Sequence, residues 1–151
     1  MMKPPIRQRR LWRAAFAFAA LGLCSPANAA TCSVSPQSVS FGNYDPLGPA
    51  PLEGVGNINV SCDAVTSFTV SISAGTGSYS ARLMTGIADQ MNYNLYTDAT
   101  HLMIWGDGTG SSNTVSATAA GSNLTVYGRI PARQNVAAGI YADTIIVTVT
   151  Y

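Results

Sequence analysis

The chain has 151 residues, enough for one domain with one core. Eight basic residues oppose seven acids, but five of the eight (Lys3, Arg7, Arg9, Arg10 and Arg13) lie in a short N-terminal head. Beyond it Arg82, Arg129 and Arg133 face all seven acids, a net charge of −4, which excludes a basic surface for nucleic acid or anionic lipid.

In chain order, the basic head is followed by an uninterrupted apolar run, Ala14 to Leu23. Ala27-Asn28-Ala29 then places small residues before a signal-peptidase cut. Residues 1–29 therefore read as a secretory signal peptide, with the folded domain over 30–151. The apolar run is too short for a bilayer span, which needs about 20 residues, and no later segment is long and apolar enough to cross a membrane. Arg9-Arg10 is followed by Leu-Trp-Arg, a poor twin-arginine signal, and Leu23 is too bulky to precede a lipoprotein cut at Cys24.

The exported part keeps Cys32 and Cys62, and an even pair in an oxidising compartment is expected to form a disulfide. Closing such a loop stabilises a fold by roughly 3–4 kcal/mol on the chain-entropy account. A metal site would need more ligands, and the chain has one histidine and no C-x-x-C, so no metal or cofactor is expected.

Lysine is absent after the head and glutamate occurs once, while Thr, Ser, Val, Gly and Asn dominate, a composition of strands and turns. Strands are predicted at Ser33–Val34, Val39–Phe41, Gly56–Cys62, Ser67–Ala74, Leu83–Met84, Tyr93–Thr97, Leu102–Trp105, Leu124–Ile130 and Thr144–Tyr151. Pro46–Pro51, Gly75–Ser80, Asp98–Thr100, Gly106–Asn113 and Pro131–Gly139 supply turns between them. Pro46–Gly56 reads as a crossing between sheets and Thr114–Ser122 as a mobile loop. Short strands at this spacing predict an all-β sandwich. The final stretch alternates, with Ile145, Val147, Val149 and Tyr151 on one face and Ile146, Thr148 and Thr150 on the other. No further strand follows to cover that edge, which as an exposed apolar strand would invite aggregation.

Catalytic chemistry finds little support. His101 is the one histidine, sits in a turn as a solvated loop residue, and no G-x-S-x-G elbow accompanies it. Asp98 and Asp107 lie where aspartate serves backbone turns. Trp105-Gly-Asp-Gly-Thr-Gly110 lacks the oxygen ligands of a calcium loop and the lysine of a phosphate loop, so it reads as a hairpin turn. The sequons at Asn59 and Asn123 fall inside predicted strands. No catalytic residue is assigned, and the chain reads as a non-enzyme. Tyr93, Tyr96, Trp105, Tyr127, Tyr141 and Tyr151 leave a freestanding sandwich that binds carbohydrate, or another surface ligand, as the alternative, although strand aromatics more often pack than bind.

Several stretches occur in a familiar order: Phe41-Gly-Asn-Tyr-Asp45, Ile58-Asn-Val-Ser-Cys62, Tyr93-Asn-Leu-Tyr-Thr-Asp98, Trp105-Gly-Asp-Gly-Thr109, Tyr127-Gly-Arg-Ile-Pro131 and Gly139-Ile-Tyr-Ala-Asp-Thr144. Over nearly all the exported chain this set resembles the spore coat protein U domain, a family related to the subunits of archaic chaperone–usher pili. The resemblance implies an immunoglobulin-like β-sandwich that is incomplete, lacking its last strand. It also implies a groove along the C-terminal strand, walled by Ile145, Val147, Val149 and Tyr151. A periplasmic chaperone and then, at an outer-membrane usher, a neighbouring fibre or coat subunit would fill it with a strand. The implied role is a secreted subunit of a surface fibre or coat, of the pilus, adhesion or biofilm type, passing through the periplasm to the cell surface. One departure concerns donation. The predicted cut leaves Ala30-Thr31 ahead of Cys32, too short for a strand at about 3.3 Å per residue to fill a groove. The subunit is therefore expected to accept a strand without donating one, as a terminal (tip) subunit or a non-polymerising coat protein.

Overall fold

The computed structural model describes residues 29–151, so the predicted signal peptide lies outside the described residues except for Ala29. The described chain folds into seven strands: β1 (Cys32–Ser40), β2 (Leu52–Ile72), β3 (Thr76–Gly77), β4 (Arg82–Thr85), β5 (Gln90–Tyr96), β6 (Val115–Ile130) and β7 (Val147–Thr150). Among the described residues no helix is long and apolar enough to cross a membrane.

β2 dominates the architecture. The two strands predicted at Gly56–Cys62 and Ser67–Ala74 are one strand of 21 residues, broken in register between Ser61 and Thr66. Fully extended it would reach about 70 Å, whereas a domain of this size has a radius of gyration near 14 Å. The ribbon must therefore bend, and the irregularity is where it does so. β6 follows β2 on one side through both halves, from Leu52↔Ile130 to Val70↔Val115. On the other side β1 pairs the first half and β7 the second, at Thr69–Ile72. The sheet order runs β1-β2-β6-β5-β4-β3, with β7 off that path against β2. Ile58 and Val60 from the first half of β2 share one core with Phe68, Val70 and Ile72 from the second. One long antiparallel pair, β2 with β6, thus contributes to both layers of an immunoglobulin-like sandwich.

Cys32 and Cys62 are register partners and are joined as a disulfide across β1 and β2, 30 positions apart in sequence. Three sequence-based expectations change. Thr114–Ser122 is not a mobile loop: from Val115 onward it is the first half of β6, with Val115, Ala117 and Ala119 partly buried between exposed Ser116, Thr118 and Ala120, and Ser67–Thr118 and Thr69–Ser116 hydroxyl pairs at 2.8 and 2.9 Å knit it to β2. Leu102–Trp105 is not a strand: Ile104 and Trp105 make single bridges to Tyr96 and Asn113, the latter parallel, so Trp105–Asn113 closes a loop and no hairpin. Pro46–Gly56 does not cross between sheets, because β1 and β2 are antiparallel neighbours and β2 already begins at Leu52.

Among the described residues the core contains one charged side chain. Arg82 is fully buried, and its guanidinium donates to Asn94 Oδ1 at 2.6 Å and to the carbonyls of Trp105 and Ser73 at 2.7 and 3.0 Å. Burial pulls its pKa below the ordinary arginine value. Trp105, also fully buried, donates its indole N–H to Val70 O at 3.2 Å. These bonds stitch the loop after β5 onto the end of β2, and truncating either residue would strand buried carbonyls at a cost of about 1–3 kcal/mol each.

Candidate functional site: an apolar groove between two walls

The first wall is β1 and its continuation to Tyr44. Val39 and Phe41 lie against a floor without side chains, made by Gly54 and Gly56 of β2 and Gly128 of β6. A Cβ on Gly128 would stand 2.6 Å from Phe41 Cζ, and one on Gly56 2.7 Å from Val39 Cγ2. Glycine is required there by close approach. Tyr44 then ties the wall down: its hydroxyl donates to Pro131 O at 2.9 Å and accepts from Gln134 N–H at 2.7 Å.

The second wall is the segment from Val136 into β7. Tyr141 packs its ring on Gly86, where a Cβ would meet Cε1 at 2.6 Å. Thr85 and Ala142 exchange backbone bonds of 2.8 and 3.2 Å. Asp143 accepts from Tyr93 O–H at 2.7 Å and from Thr76 N–H at 3.1 Å. Burial first, and the Asp143 carboxylate second, push the Tyr93 phenol well above its usual range, so it stays a donor. Ile146 is held by Ser73 through bonds at both its N–H and its carbonyl, 2.9 Å each.

Between these walls lies an open groove of about 970 Å³. Its floor is apolar core, including Ile58, Ile72, Met84, Met91 and Ile130. Among the described residues β1 and β7 each pair with β2 alone, so the far backbone edge of each carries no ladder partner. Of the four side chains expected to wall the groove, Ile145 and Val147 line it. Val149 is partly buried against the core, and Tyr151, 56% exposed, lies in a separate cleft beside Ser67, Ser116 and Thr150. The alternation of the last strand showed which residues share a face. It did not show the opposite wall or the methionines of the floor, which belong to the groove only through the topology.

His101 is not the solvated residue its turn implies: its side chain is 4% exposed. It adopts φ +58°, packs edge-on against Tyr96 and places Nδ1 3.8 Å from Glu53 Oε1. Arg129 donates to that same Glu53 oxygen at 2.7 Å and is the main cause of its lowered pKa. The neighbouring turn is organised by Asp98, which accepts from Thr100 O–H and from the backbone N–H of Met103 and Leu102; the first two contribute most to a pKa near 2. These groups hold the loop after β5 onto the sheet. Among the described residues no three His, Cys, Asp or Glu side chains gather as a metal site.

The fold and its open edge define the class: a disulfide-bonded, immunoglobulin-like β-sandwich with a groove between its first and last strands. Residues 17–148 match the spore coat protein U domain, and the chain belongs to that family. It is 31% identical over 129 residues to Protein U of Myxococcus xanthus, an alignment covering 76% of this chain and 72% of that protein. In three dimensions it resembles a chain of the CsuC–CsuE chaperone–tip adhesion subunit pre-assembly complex, from the archaic chaperone–usher Csu pili of Acinetobacter baumannii. The TM-score is 0.59 at 20% identity, covering 82% of this chain, which spans only 40% of that one.

Proposed function

We propose that this chain is a secreted structural subunit of a surface fibre or coat, brought to its site by a periplasmic chaperone and an outer-membrane usher. It accepts a β-strand from another chain along its C-terminal strand. The observation that carries this reading is the groove itself. It leaves Val39, Phe41, Ile145 and Val147 only partly covered, over a floor of core side chains, between two strands whose outer edges lack partners, the arrangement that strand addition completes with backbone hydrogen bonds and alternate side chains. Membership of the spore coat protein U family supports the structural role. The likeness to a chain solved in a chaperone–subunit complex supports the fold in which such a groove works. On this reading the chain performs no catalysis, and transit is through the periplasm to the cell surface.

The test is periplasmic expression with and without a chaperone of the archaic chaperone–usher class. The expected result is soluble subunit recovered as a one-to-one complex with the chaperone, and aggregated or degraded chain without it. A stable, monodisperse monomer obtained alone, with no affinity for the chaperone, would overturn the reading.

A further inference from the structure

The two ends of the groove differ in chemistry. At one end, Met84 and Met91 are direct cross-strand partners of β4 and β5, both under 10% exposed, and both line the groove. Tyr44 and Tyr141 flank that end, Tyr44 tied to Pro131 and Tyr141 seated on Gly86. Thioethers and aromatic faces make an adaptable surface: Met has three rotatable bonds and favourable sulfur–ring contacts, and the rings stack or meet edge-on with an incoming ring. At the other end the lining is Ile58, Ile72, Val126 and Val147, with Ile72 and Val147 in direct register. Those β-branched side chains are stiff about χ1 and leave little room to rearrange. From Tyr141 to Val147 an extended chain covers about 20 Å, or three alternate inward positions.

A strand with alternating apolar residues fits such a groove in more than one way. A slip of one residue turns the wrong face inward and is excluded by hydrophobicity. A slip of two, or a reversal of direction, keeps apolar residues inward and is not excluded by it. We infer that the unequal ends of the groove select the register and direction of the inserted strand. The Met84–Met91 end takes its bulkiest, aromatic or long side chain, and the Ile72–Val147 end takes short β-branched ones. This rests on the strand-accepting reading above and specifies the partner: a strand graded in side-chain size along its inward face.

The test uses two seven-residue peptides of identical composition, fluorescein-labelled, with Thr at the odd positions. One carries Val, Ile, Phe at the even positions, graded in size, and the other Val, Phe, Ile, which keeps Phe central whichever way the strand runs. Each is present while the exported chain is refolded from denaturant, with binding followed by anisotropy. The graded peptide should bind at least tenfold more tightly than the other. Met84→Ile/Met91→Ile, which keeps the core apolar and near its volume, should bring the two affinities within about threefold. Where that variant folds poorly, the same comparison is made by melting temperature on chains carrying each peptide fused through a flexible linker. Equal affinity for the two peptides, or a preference that survives the methionine substitutions, overturns this inference while leaving strand acceptance intact. Failure of both peptides to bind overturns the strand-accepting reading itself.

Discussion

The two walls of the groove are built on different principles. The β1 wall is held covalently at one end by Cys32–Cys62, along its length by the ladder to β2, and at the other end by Phe41 and Val39 on the glycine floor. The C-terminal wall pairs with β2 only over Val147–Thr150; before that it hangs on a few discrete bonds, from Ala142, Asp143 and Ile146. A ladder plus a covalent link yields as a unit, whereas discrete bonds yield one at a time. The first wall is thus a fixed reference, and the second is the side that adjusts when something enters the groove.

Substitutions on each wall can break or sharpen this contrast. The largest effect is expected from Cys32→Ser/Cys62→Ser, which should cost roughly 3–4 kcal/mol. It should also raise hydrogen exchange through the whole of β1, read by mass spectrometry beside a thermal melt; protection lost only at Cys32 and Ser33 would show that the ladder alone fixes the wall. A smaller effect is expected from Gly128→Ala, whose new methyl must displace Phe41 at a cost of about 1–3 kcal/mol. Loosening should appear at Val39–Tyr44 and leave β7 unchanged, which amide exchange distinguishes. The smallest is expected from Asp143→Asn, which preserves shape but removes the charge from the bonds to Tyr93 and Thr76, about 1 kcal/mol. Exchange should then quicken from Ala142 to Ile146 with β1 unaffected, and a response spread over both walls would refute their independence.

The parts of the fold legible in the sequence were those where one face is buried and the other wet. Ile58–Cys62, Phe68–Ser73 and Ile145–Thr150 alternate in sequence and alternate in burial. The first half of β6 was hard to read this way, because Val115, Ala117 and Ala119 face inward between Ser116, Thr118 and Ala120, and alanine beside serine and threonine gives too little contrast in size and polarity to mark a strand. His101 was misplaced because its burial comes in large part from Tyr127 and Glu53, which are distant in sequence and reach it only through the fold, alongside its near neighbour Tyr96. The groove was half legible. Ile145 and Val147 stand out in a terminal apolar strand, while Met84, Met91 and Tyr44 join them only because β4, β5 and the segment after β1 converge in space.

The position of the disulfide also has a mechanical consequence. Cys62 sits at the start of the irregular stretch where β2 bends between the two layers, and Cys32 opens β1. A pull on the chain ahead of Cys32 passes through the sulfurs directly into β2 at the edge of that bend, with β6 paired to β2 on either side of it. β1 lies outside the load path, so tension does not unzip it from its end. The wall that serves as the groove's fixed reference therefore keeps its shape while the molecule is stretched.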